Sequence, residues 1–176
     1  MADEKFLVLG KLTKALKKKP ILVGGGAAEL YTAGHFVTGD IDILADRAEL
    51  QPVLEKMGFK REGMYFIRGK VFIHVLNPYF DKRFDDIALK GTGLTIRVIS
   101  VEDLIVDRLN ACKWWRHKAD CEQAAHLLNT FRDKLDADYL EERADAEDVR
   151  DTLHEILEQV ESQRNVSAKR VKRKGK

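Results

Sequence analysis

The alternation of apolar and polar positions divides the chain into short mixed elements followed by longer helical ones. Leu7, Leu9, Leu12, Ala15 and Leu16 recur at near-helical spacing, which predicts a helix over 7–19 that Pro20 closes. Ile21-Leu22-Val23 is a continuous apolar run, the pattern of a short buried strand. Three glycines follow, and a short helix is expected over 27–33. Asp40 to Leu44 alternates acid with aliphatic, the period of a strand. A helix over 48–57 ends at Gly58, and strands are predicted over 64–67 and 71–76, with Arg68-Gly69-Lys70 as the hairpin turn between them. A further strand covers 94–99. Ser100 is a good helix cap, with Asp103 three residues on as its acidic partner. Helices are then expected from there to about Cys112, over 119–131 and over 141–161. In the last of these Val149, Leu153, Ile156 and Val160 form one stripe, which packs on the helical part or serves as a self-association seam, making a homodimer.

This order predicts an α/β (α+β) fold class, a small mixed β-sheet with flanking helices followed by an all-helical C-terminal part. The expected divisions are a core over 1–99, helices over 100–162 and a basic tail over 163–176. With 176 residues the chain has the length of one domain with an appendage, and 44% apolar with 34% charged residues is an ordinary globular composition. That excludes a disulfide scaffold, collagen-like repeats and wholesale disorder. No apolar run reaches the roughly 18 residues of a membrane span, and the acidic start lacks the layout of a secretory signal. Cys112 and Cys121 are therefore expected as reduced thiols of a cytoplasmic protein.

The net charge of +2 hides an uneven distribution. Residues 164–176 hold seven bases and no acid, whereas 133–161 hold twelve acids and three bases. The tail is expected to be solvated and mobile. It is suited to collecting affinity for nucleic acid or simply to solubilising the chain. Lys113-Trp114-Trp115-Arg116-His117-Lys118 interleaves aromatics and bases. Such a mixture can stack on nucleic acid, and it also suits a helix end with one Trp in the core.

Candidate chemistry concentrates in two stretches, Leu22 to Tyr31 and Thr38 to Leu44. Residues two apart on a strand share a face, so Asp40 and Asp42 project together while Ile41 and Ile43 enter the core. Paired carboxylates repel unless a cation lies between them, and oxygen donors suit Mg²⁺ or Mn²⁺ with a substrate phosphate completing the shell. A strand that runs through glycines into a helix lets backbone N–H groups approach a phosphate. Glu29, just after the glycines, either reaches such a metal or occupies a solvated helix position.

Gly24-Gly25 with Ala27, then Thr38, Asp40 and Asp42, resembles the signature of the nucleotidyltransferase-fold superfamily, related to polymerase β. Ser100 to Leu109, the tryptophans and Glu122-Gln123-Ala124 with Leu127-Leu128 resemble the helical segment of a small prokaryotic branch of it. The resemblance implies that Gly24, Gly25 and Thr38 bind a nucleoside triphosphate. Asp40 and Asp42 would hold one or two divalent ions, and a nucleoside monophosphate would pass to a hydroxyl of RNA, a protein or a small molecule. The superfamily normally adds a third carboxylate on a later strand. Here the aligned position is His74. Imidazole is a poor Mg²⁺ ligand and an acceptable one for Mn²⁺ or Zn²⁺, and its ordinary pKa near neutrality suits a general base. Three alternatives stand open: His74 acts as base with a transition metal; another acid, Asp81, Asp85 or Asp86, takes the place; or the protein is a degenerate nucleotide- or RNA-binding module, a toxin–antitoxin partner among the options.

Overall fold

The computed structural model describes residues 3–77 and 81–174, those from 166 onward as backbone only. The chain divides after Ser100 into two compact units.

The first unit carries helix α1 (Glu4–Ala15), strand β1 (Ile21–Val23), α2 (Gly24–Tyr31), β2 (Asp40–Leu44), α3 (Arg47–Lys56), β3 (Lys60–Glu62), β4 (Tyr65–Arg68), β5 (Val71–Leu76), β6 (Phe84–Leu89) and β7 (Leu94–Ile99). The strands form one seven-stranded sheet in the order β3-β4-β5-β2-β1-β7-β6. It is mixed: β2 runs parallel to β5 and β1 parallel to β7, while the remaining pairs are antiparallel. Mixed α+β architecture is what the order of elements predicted.

One face of the sheet is the core. Leu22, Ile41, Ile43, Ile73, Val75, Phe66, Ile96 and Val98 are buried there, and the register Leu22↔Ile43 and Ile41↔Ile73 puts them side by side. Helix α1 packs so closely on β7 that a Cβ on Gly10 would lie 2.9 Å from Leu94 Cβ.

Strands β3 and β6 escape sequence reading. All three residues of β3 are exposed, and β6 buries only Leu89. An edge strand that buries neither face leaves no apolar period to find. Helix α2 also starts three residues before the expected Ala27, with the glycines as its first turn.

The second unit comprises α4 (Val101–Trp115), α5 (Lys118–Phe131), a 3-10 turn (Arg132–Lys134), α6 (Ala137–Ala146) and α7 (Arg150–Lys174). The helix expected over 141–161 is two helices, broken at Asp148, whose φ is +56°. The stripe Val149, Leu153, Ile156 and Val160 is buried. Sequence reading lets the chain leave the helix after residue 162, but the backbone of α7 stays helical through Lys174; neither Gly nor Pro interrupts it before Gly175. Asp103 is not merely a capping partner. It is fully buried and accepts hydrogen bonds from Tyr139 Oη (2.7 Å) and Arg143 Nε (3.0 Å), tying α4 to α6.

The cysteines also depart from expectation. Cys112 near the end of α4 and Cys121 near the start of α5 form a disulfide, their Cα atoms 4.9 Å apart. The tight turn between the helices brings them together, a proximity that the number of cysteines does not reveal. No helix among the described residues is long and apolar enough to cross a membrane.

Candidate active site

Strand β2 presents Asp40 and Asp42 on the face opposite the core, both partly exposed, while Ile41 and Ile43 are fully buried. Parallel pairing with β5 sets Asp42 directly beside His74. His74 Nδ1 lies 2.9 Å from Asp42 Oδ1. A carboxylate accepts at that distance, so the contact places a proton on Nδ1 and leaves Nε2 as the open nitrogen. On the far side of β5, Tyr65 of β4 is paired with His74, and the two rings lie 5.4 Å apart at a tilt of 46°. The negative charge of Asp40 pushes the Tyr65 phenol above its ordinary pKa of 10.0, with desolvation, a hydrogen bond to Asp40 and the charge of Asp42 adding to it. Sequence reading missed Tyr65, because only the register across two hairpin strands brings it to the acids.

The three glycines have three different reasons. Gly24 has φ +62°, and a Cβ there would lie 2.8 Å from Asp42 Oδ2. A Cβ on Gly25 would lie 3.2 Å from Thr38 Oγ1. At Gly26 it would meet Leu22 and Ile41 at 3.0 and 3.1 Å, so this glycine lets α2 lie flat on the sheet. The first turn of α2 therefore abuts the Asp42 carboxylate and the Thr38 hydroxyl, and no side chain caps it. Its N–H groups are available to an anion.

Thr38 is held from behind. Its N–H donates to Glu29 Oε2 (2.8 Å), its carbonyl accepts from Lys5 Nζ (2.8 Å), and Lys5 pairs with Glu29 at 2.7 Å. Lys5 and Glu29 are both buried. Glu29 is thus neither a metal ligand nor a solvated helix residue, the two roles the sequence offered it. The Thr38 hydroxyl in turn donates to Asp40 Oδ1 at 3.1 Å. Gly24, Gly25, Thr38, Asp40, Asp42 and His74, which were singled out from the sequence, form one contiguous surface.

Two of the three substitute acids do not join it. Asp85 and Asp86 lie on β6, three strands from β2. Asp85 Oδ2 lies 2.9 Å from the Tyr31 hydroxyl. Asp86 receives two bonds from Arg97, which hold its carboxyl below the ordinary range despite partial desolvation. Asp81 is exposed in the connection from β5 to β6. Among the described residues no three His, Cys, Asp or Glu side chains are arranged to hold a metal ion. Asp40 and Asp42 supply two hard oxygen donors, a set that could hold a divalent cation only with further ligands from outside the chain.

The family model for "Nucleotidyltransferase of unknown function (DUF6036)" matches residues 2–173. No curated protein matches the chain in sequence. Among solved structures, an antigenic nucleotidyltransferase-like protein from Paracoccidioides brasiliensis is similar at a TM-score of 0.58 and 15% identity, over 89% of this chain and 93% of that one. The antibiotic-resistance factor ANT(2'')-Ia is similar at a TM-score of 0.50 and 16% identity, over 92% and 94%. Identities this low speak for the fold alone, but the family match spans both units, and the chain belongs to this family of nucleotidyltransferases.

Proposed function

We propose that the protein binds a nucleoside triphosphate with a divalent cation and transfers the nucleoside monophosphate to a hydroxyl of RNA, a protein or a small molecule. The observation that carries this reading is the position of Asp42, which bonds to His74 and lies so near Gly24 that a Cβ there would not fit. It joins an anion-binding helix start, a pair of oxygen donors and a base on one open face. Backbone N–H groups of Gly24 and Gly25 would hold the phosphates, with Thr38 beside them. Asp40 and Asp42 would hold the cation, which when bound neutralises charge developing on the phosphates. His74, oriented through Nδ1 by Asp42, would accept the acceptor hydroxyl's proton on Nε2. The freed oxygen bonds to the α-phosphorus as the bond to pyrophosphate breaks.

Calorimetric titration with ATP, GTP, CTP and UTP in the presence of Mn²⁺ tests the reading. Asp40→Asn is expected to abolish metal-dependent binding without changing the thermal unfolding of the chain, and equal binding by the variant would overturn the site. With imidazole in place of a third carboxylate, transfer is expected to be faster with Mn²⁺ than with Mg²⁺, and His74→Asp should restore the use of Mg²⁺.

A second reading, a nucleotide- or RNA-binding module without transfer, is favoured by one observation. His74 stands where the resemblance leads one to expect a third acid, while Asp85 and Asp86 are engaged on β6. Incubation with labelled triphosphates, Mn²⁺ and cell extract separates the two, since only the enzyme leaves label on an acceptor.

A further inference from the structure

The turn between α4 and α5 carries the aromatic–basic segment, and neither tryptophan enters the core as the sequence reading allowed. Trp114 is 56% exposed and Trp115 81% exposed. Two large indoles facing water are unfavourable on their own account. They sit on a turn that is fastened at several points. The Cys112–Cys121 disulfide brackets it, His117 bonds to Asp120, and Lys113 reaches Asp151 at 2.8 Å while lying 4.8 Å from the Trp114 ring centre. Arg116, at the apex, has a φ of +53° and is exposed. Among the described residues two cations stay largely available: Arg116, which pairs with no acid there, and Lys118, whose only ion pair there is to exposed Glu122 at 3.9 Å.

Flat π faces beside solvated cations, carried on a turn fastened before any partner arrives, are what stacked bases and their phosphates require. A bilayer surface asks for a broad apolar face with a basic rim. This turn offers only two rings, with Glu122, Asp148 and Asp151 close by. We infer that the stapled α4–α5 turn is a binding site for single-stranded nucleic acid, with Trp115 and Trp114 stacking on bases and Arg116 and Lys118 meeting phosphates. This site stands independently of the β2–β5 face and of whether transfer occurs there.

The chain's only two tryptophans end α4 beside this turn, so tryptophan emission, excited beyond the tyrosine band, reports on the site alone. The full oxidised chain is titrated with oligo(U) of about eight nucleotides, a length within the usual footprint. Saturable quenching is expected, with a slope of log affinity against log salt near about −1.4, the value for two phosphate contacts on a single strand. By anisotropy of labelled oligonucleotide, Trp115→Ala should weaken binding by about tenfold, Trp115→Phe should retain most of it, and Arg116→Ala should reduce the slope by about 0.7. Both tryptophan variants change an exposed ring and should melt like the parent. The inference is overturned by absent quenching at low salt. It is overturned equally by unchanged affinity in Trp115→Ala, which assigns binding to another surface such as the basic C-terminus. Quenching by phosphatidylserine vesicles without quenching by oligo(U) would also overturn it, in favour of a membrane.

Discussion

Two buried charge networks, one in each unit, look alike and do different things. In the helical unit Asp103 is wholly enclosed and receives Tyr139 and Arg143, the latter also reaching Glu147 at 3.0 Å. Every one of these partners lies on α4, on α6 or at the end of α6, so the network fastens helices to each other. In the sheet unit Lys5 and Glu29 are buried nearly as deeply, but their bonds lead to Thr38 and through its hydroxyl to Asp40 on the open face. Burial of charge therefore does not mark a site. What matters is where the chain of hydrogen bonds ends.

Removing one partner from either network should produce the largest effect. Asp103→Ala strips Tyr139 of its enclosed acceptor and leaves half-buried Arg143 with Glu147 alone, and should cost about 3 kcal/mol in urea denaturation. Glu29→Ala should approach that loss. Replacing whole pairs separates the two networks. Asp103→Leu with Arg143→Met should recover most of the stability and leave calorimetric nucleotide binding as it was. Lys5→Met with Glu29→Leu should also recover stability, yet weaken nucleotide binding by about tenfold, because Thr38 loses two of its anchors. Equal nucleotide affinity in both double variants would erase the distinction. A smaller effect is expected from Thr38→Val, about 1 kcal/mol in stability, with a several-fold fall in affinity at constant protein fold.

The smallest effect belongs to an exposed pair that serves as the reference. Hydrogen bonds from Lys113 and from the Thr152 backbone hold the Asp151 carboxyl below its ordinary 3.8, against slight desolvation. Its folded value being depressed, the pair contributes stability above the ordinary carboxylate range and loses it as the pH falls through the lowered value. Lys113→Ala should move the Asp151 titration, followed by carboxyl NMR, back toward the ordinary value with little change in stability.

How much of this was legible in the sequence depends on distance along the chain. The alternation Asp40-Ile41-Asp42-Ile43 stated which side chains face out and which face in, because strand geometry is local. The hairpin at Gly69 was readable for the same reason, its φ of +58° being a glycine conformation. The pairing of Lys5 with Glu29 was not, since the two are 24 positions apart and each looks like a surface charge in its own helix. Tyr65 was hidden because two strand registers must be known before it comes near Asp40. Trp114 and Trp115 were ambiguous, as a helix end can turn a ring inward or outward, and only the packed structure decides.

The strand order carries a consequence for biosynthesis. Five neighbouring strands, β3-β4-β5-β2-β1, come from the uninterrupted stretch between Ile21 and Leu76, and β7 and β6 add to one margin afterwards. A ribosome delivers that stretch before any of the helical unit exists. The acids, the imidazole and the glycine turn can therefore meet through short chain closures while the second half is still being translated.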